Sequence, residues 1–207
     1  MSVPTLTDGP ADAPLTLILA HGAGAAMDSP FMDLIAEGVA AAGWRVVRFE
    51  FPYMAARRTT GAKKPPDREP VLTGTWRSVI ADLGADTLVI GGKSLGGRMA
   101  SMIADEAGVR GLVCLGYPFH PPGRPDRLRT AHLETLATPA LILQGERDPF
   151  GRAEEVPCYS LSETISLAWL PDGDHSFKPR KASGRTEDSN LALAVERICG
   201  FLDALAA

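Results

Sequence analysis

The sequence has little cysteine: Cys114, Cys158 and Cys199 are the three in 207 residues, and none stand in a CxxC spacing. An odd set without such spacing excludes a disulfide framework and a zinc-type pair, and it points to reduced thiols in a cytoplasmic protein. The four histidines, His21, His120, His132 and His175, show neither HxH nor HxxxH spacing, so no metal and no other cofactor is expected. No run of about 18 apolar residues is present, which excludes a membrane-spanning helix. The first ten residues lack both a basic segment and an apolar core, so no secretory signal is expected. Basic charge is not in excess: 21 Lys and Arg face 25 Asp and Glu, a net −4. No nucleic-acid partner is expected on that balance. Charged residues make up only 22% and mean hydropathy is +0.01, which excludes intrinsic disorder.

What is present is an alternation of apolar runs and helical stripes, read as one domain over residues 1–207. Six runs, Leu15–Ala20, Arg45–Phe51, Thr87–Gly91, Gly111–Leu115, Pro139–Leu143 and Thr164–Leu170, are near-continuous rather than alternating. Strands buried on both faces of a parallel sheet need that pattern. Between them, Phe31–Ala42, Val71–Leu83, Leu95–Glu106 and Leu191–Leu205 read as helices. The implied fold class is α/β: a doubly wound, mostly parallel six-stranded sheet with helices on both faces. Pro52–Pro70 shows no clear period and reads as a long functional loop.

The strongest chemical signal is Gly92-Lys93-Ser94-Leu95-Gly96, a G-x-S-x-G placed after a strand and before a small-residue helix. A serine on so sharp a turn is held in a strained conformation that lifts its hydroxyl clear of the sheet, and its neighbours two residues either side must lack bulk. A phosphate-loop reading of Gly92-Lys93-Ser94 fails, because the required glycine five residues before Gly92 is Thr87.

A serine hydroxyl needs a base, and the base an orienting acid. In strand–turn–helix sites of this kind they follow in the order Ser, Asp or Glu, His. Asp148 lies on a turn just past Pro139–Leu143, with Glu146 a weaker competitor. His175 lies in the loop between the last strand and the last helix; Asp172 and Asp174 beside it are either solvated or raise its basicity. Oxyanion donors are expected from the Leu95 N–H and from the His21-Gly22-Ala23-Gly24-Ala25 loop, with Ala23 or Gly24 as candidates, Gly22 close behind and His21 as a support. Phe119 and His120 leave a strand end on the Ser94 side and are expected to line the substrate pocket. Met54–Pro70 sums to +3 and Ser176–Arg185 to +4, which suggests an anionic substrate.

These residues resemble the α/β-hydrolase superfamily, and within it the small dienelactone-hydrolase-like, KANL-type branch. The resemblance rests on Leu17–Met32, Gly91–Ala100, Leu115–Pro122, Leu141–Phe150 and Gly173–Lys178, spread over nearly the whole chain. It implies Ser94 as nucleophile, Asp148 as acid and His175 as base, and a minimal α/β-hydrolase fold without a cap domain. It implies no substrate. Two departures stand out: dienelactone hydrolases use a cysteine nucleophile where this sequence has Ser94, and the antiparallel strands that usually open the fold look largely absent.

The expected function is a serine hydrolase that cleaves a small ester or thioester through an acyl-enzyme, acting as monomer or homodimer. The alternative is a non-catalytic interaction protein on a hydrolase scaffold. With six strands, their helices and the catalytic loops consuming the chain, the pocket should be shallow and bordered by Pro52–Pro70.

Overall fold

The computed structural model describes residues 3–207. Its centre is a seven-stranded sheet in the order β1-β3-β2-β4-β5-β6-β7. The strands are β1 (Thr5–Asp8), β2 (Thr16–Ala20), β3 (Arg45–Phe49), β4 (Leu88–Lys93), β5 (Gly111–Leu115), β6 (Ala140–Gly145) and β7 (Ile165–Leu170). Strands β2 to β7 pair in parallel, and β1 pairs antiparallel to β3.

The sheet therefore has one strand more than the six expected. All but one of the β1 side chains are exposed, so Thr-Leu-Thr-Asp has no apolar alternation to reveal it. Tertiary contacts hold it instead: Arg48 of β3, itself buried, donates to Asp8 at 2.9 Å and also pairs with Asp33.

Successive β2 residues feed opposite layers. Ile18 and Ala20 pack into one core, while Leu17 and Leu19 pack into the other, as the two-residue period of a strand requires. Helices α1 (Pro30–Ala41) and α6 (Glu187–Ala206) cover the second face. Helices α3 (Glu69–Leu83) and α4 (Leu95–Ser101) cover the first, with Trp76 packed edge-on to Phe49 at 4.7 Å between ring centroids. Among the described residues nothing forms a separate cap domain.

Two expected elements differ. Leu95–Glu106 is not one helix: α4 stops at Ser101 and a short α5 (Ala104–Ala107) follows. Pro52–Pro70 is not a loop throughout, because Pro52–Thr60 forms α2. Proline at the first helical position starts a helix at no hydrogen-bond cost, and Gly61 in the left-handed region ends it. Only Tyr53 and Met54 of α2 are buried, so the helix shows too narrow an apolar stripe to be read from the sequence.

Candidate active site

Parallel strands bring their carboxyl ends to one edge of the sheet. Ser94 follows β4, Asp148 follows β6 and His175 follows β7, so residues far apart in the chain meet there. Ser94 sits at φ 50°, ψ −109°, a strained conformation for a residue with a side chain. The turn closes only because its neighbours are bare. A Cβ on Gly92 would stand 2.1 Å from the Ala20 carbonyl oxygen, and one on Gly96 would stand 2.4 Å from the same atom.

The Ser94 hydroxyl lies 2.9 Å from His175 Nε2, and His175 Nδ1 lies 2.7 Å from Asp148 Oδ2. A carboxylate only accepts, so Nδ1 carries the imidazole proton and Nε2 is left to accept from the serine hydroxyl. Asp148 is wholly buried. Its Oδ2 also accepts from Gln144 Nε2 at 3.0 Å, and its Oδ1 from the Phe150 amide at 2.9 Å. Gln144 is held in turn by both backbone groups of Tyr117. The Phe150 ring packs on the imidazole at 4.3 Å between centroids.

The other acids near His175 are engaged elsewhere. Glu146 accepts from the Asp172 amide at 2.7 Å. Asp172 pairs with Arg180 and Arg147. Asp174 accepts from the amides of Ser176 and Lys178 at 2.8 and 3.0 Å. These bonds shape the loop that carries His175.

The glycine-rich loop after β2 is shaped from behind. The Tyr53 hydroxyl lies 3.2 Å from the carbonyl oxygens of both Gly22 and Ala23. In a planar trans peptide the N–H points opposite to the C=O, so the amides of Ala23 and Gly24 point away from Tyr53. His21 supports this loop: its Nε2 accepts from the Phe51 amide at 3.1 Å, and its Nδ1 donates to the Gly22 carbonyl at 2.7 Å. Burial lowers its pKa, which keeps the ring neutral.

A cleft of about 320 Å³ opens here, lined by loop 22–25, Phe31, Met32, Phe150, Lys93, Ser94 and His175. Leu95 begins α4, where the first amides have no partner within the helix. Phe119 and His120, expected in the pocket, are not among the lining residues. Phe119 is fully buried against Tyr117 and Tyr159, and His120 bonds Pro121 O at 2.9 Å and Glu155 at 3.1 Å. Burying a ring in an aromatic cluster is worth more than leaving it on an open cleft. None of residues 52–70 lines the cleft either. Of the basic residues in the two positively charged stretches, Arg58, Lys178 and Arg180 are tied up in ion pairs.

A second Ser–His contact exists: Ser101 Oγ lies 2.8 Å from His132 Nε2. The Ser101 hydroxyl, however, donates to the Arg98 carbonyl at 2.8 Å, and the residue is 3% exposed. Among the described residues no carboxylate bonds His132.

A family profile described as "Alpha/beta hydrolase domain" matches residues 13–203. The chain belongs to the α/β-hydrolase family. This α/β hydrolase is also similar in fold to several solved structures. An alpha-beta serine hydrolase homologue from Coxiella burnetii matches with TM-score 0.69 at 19% identity, covering 94% of this chain and 89% of that one. An α/β serine hydrolase without lid from Xanthomonas campestris matches at 0.68 and 22%, covering 93% and 86%. A monoacylglycerol lipase from Paleococcus ferrophilus matches at 0.69 and 16%, covering 97% and 100%. Among the described residues no helix is long and apolar enough to cross a membrane.

Four features of the site were not read from the sequence of this hydrolase: the Tyr53 brace, the Gln144 support of Asp148, and the cleft faces of Phe31 and Phe150. Gln144 carries a signal, because a polar residue that directly extends the apolar run Leu141–Leu143 needs a buried partner. Tyr53 lies in the aperiodic stretch Pro52–Pro70, whose sequence gives no helical stripe.

Proposed function

We propose that this chain is a serine hydrolase cleaving a small ester or thioester through an acyl-enzyme on Ser94, working as a single domain. The observation that carries the reading is the unbroken relay from the Ser94 hydroxyl through His175 to buried Asp148. His175 Nε2 takes the hydroxyl proton as Oγ bonds to the acyl carbon. The negative charge on the acyl oxygen is met by the Leu95 N–H and by that of Ala23 or Gly24, each worth on the order of 3 kcal/mol in the transition state. The tetrahedral adduct collapses, and the imidazolium passes its proton to the departing alcohol or thiol. Water then repeats the sequence and frees Ser94. Asp148 holds the tautomer that makes this possible.

Within the family we place the chain in the small dienelactone-hydrolase-like branch, on the five stretches that resemble it. We place it in the cytoplasm, on its three unpaired cysteines. The cleft favours a short acyl group over a long buried chain.

A fluorophosphonate probe tests the reading. The wild type is expected to label at Ser94, and Ser94→Ala or His175→Ala to abolish labelling. A folded wild type that stays unlabelled would point instead to an interaction protein on a hydrolase scaffold. Matched neutral and anionic esters across a salt series then read the substrate's charge.

A further inference from the structure

Lys93 stands directly before Ser94 and lines the same cleft, yet among the described residues no carboxylate pairs with its ammonium. Nζ donates to the backbone carbonyl of His175 at 2.5 Å, across 82 residues of chain. The ammonium also lies 5.5 Å from the centroid of the Phe31 ring, within reach of a cation–π attraction. Two acids whose charge reaches it, Asp148 and Asp174, are committed to His175, Gln144 and the amides of Phe150, Ser176 and Lys178. Among the described residues the His175 carbonyl has no other hydrogen-bond partner. Gly116 makes room for the contact: a Cβ there would stand 2.9 Å from both Lys93 Nζ and the His175 carbonyl oxygen.

The segment that carries His175 has no regular structure and contains two strained residues, Asp172 at φ 51° and Phe177 at φ 68°. Asp148 orients the imidazole ring but does not hold the His175 backbone. We propose that Lys93 is a positioning residue, whose ammonium ties the His175 backbone to the segment that carries Ser94 and so sets the distance between base and nucleophile. The inference rests on the reading of Ser94 and His175 above.

The tether has a pH range. Burial pushes the Lys93 ammonium from the usual 10.5 down to about 8, against the pull of Asp148 and Asp174. Phe31 of α1 and Gly116 after β5 bring no charge to it. Above about 8 the amine is neutral and the bond to His175 is no longer charge-assisted, so turnover acquires an alkaline limb there. Stability moves the other way. The folded pKa lies below the unfolded one, so as pH rises from about 8 to 10.5 the folded state releases the proton first. In that window the unfolded state binds more protons and folding is strengthened.

The test uses Lys93→Met, which keeps the apolar stem and removes donor and charge, and Lys93→Cys alkylated with bromoethylamine to rebuild an amine of the same reach. Wild type treated with bromoethylamine is the control. Fluorophosphonate labelling rate, kcat and KM on a short p-nitrophenyl ester, pH profiles and thermal melts are measured. Lys93→Met is expected to lower kcat and labelling by roughly tenfold to a hundredfold, as small displacements of reacting groups do. KM should stay within about twofold, the alkaline limb should vanish, and the melting temperature at neutral pH should hold or rise. The aminoethylated variant should recover the rate, with the limb at lower pH because a thioether amine is more acidic.

Wild-type kcat and pH profile in Lys93→Met would overturn the proposal. So would an unchanged kcat with KM raised only for carboxylate-bearing esters, or a lowered melting temperature with the pH limb intact. A wild type inert to the probe would refute the reading of Ser94, and this inference with it. A wild type that labels while Lys93→Met labels equally fast would refute this inference alone.

Discussion

The hydroxyl of Tyr53 reaches the carbonyl of Gly22 at 3.2 Å, across 31 residues of chain, and shares its proton with the carbonyl of Ala23. One side chain from α2 thus fixes two consecutive peptide planes of the loop that borders the cleft. Tyr53→Phe removes the brace and keeps the ring. The expected result is a kcat lowered about tenfold, which is ~1.4 kcal/mol of activation free energy, with KM unchanged and folding weakened by about 1 kcal/mol. Steady-state kinetics and a denaturant melt read both; an unchanged kcat would show that the loop holds its shape without Tyr53.

Asp148→Asn keeps the shape of the buried side chain but can present an N–H to His175 Nδ1, which disfavours the productive tautomer. A loss of kcat on the order of 10³ to 10⁴ is expected. Gln144→Leu acts one step further out. It leaves the buried Tyr117 amide without the acceptor it has at 2.7 Å, so folding should weaken by about 1–3 kcal/mol, with a smaller fall in kcat. Kinetics alongside urea unfolding separates the two variants.

Ser101→Ala discriminates between the two Ser–His contacts. Because the Ser101 hydroxyl is spent on the Arg98 carbonyl, the variant is expected to label and turn over like the wild type, with folding weakened by about 1 kcal/mol. Loss of fluorophosphonate labelling in Ser101→Ala would move the nucleophile away from Ser94.

Two glycines offer a stability contrast. At Gly96 a Cβ would meet the Ala20 carbonyl oxygen at 2.4 Å, whereas at Gly24 nothing lies within 4 Å. Gly96→Ala forces backbone apart where the elbow crosses β2 and should cost more than about 3 kcal/mol, as severe core overpacking does. Gly24→Ala should leave the melting temperature within a degree or two of wild type. Equal melting temperatures would show that the elbow relaxes more easily than its packing suggests.

The parallel core strands were readable because burial on both faces forces nearly unbroken apolar runs, and Leu17–Ala20 or Leu112–Leu115 can hardly be read otherwise. Strand β1 and helix α2 were not. One is an edge strand held by Arg48, and the other buries only two side chains, so neither leaves a periodic trace. Phe119 and His120 show the same limit from the other side. Their place after a strand end was legible, but the direction of their side chains is set by packing with neighbouring Tyr117 and with Tyr159 and Glu155, which come from elsewhere in the chain.

By itself the sequence determined the strand–helix alternation, the serine elbow with its obligatory glycines, and the order of Ser94, Asp148 and His175 along the chain. These are local requirements, written in neighbouring residues. Only the tertiary structure decided which imidazole nitrogen faces Ser94, what holds Asp148, that Tyr53 braces the carbonyls of the glycine loop, and that the Lys93 ammonium ends on the His175 carbonyl. Most of those are contacts between segments tens of residues apart, and the hold of Gln144 on Asp148, four residues along the chain, is set by how the turn after β6 folds. Such a contact depends on distance and direction once the sheet has formed, and a one-dimensional pattern carries neither.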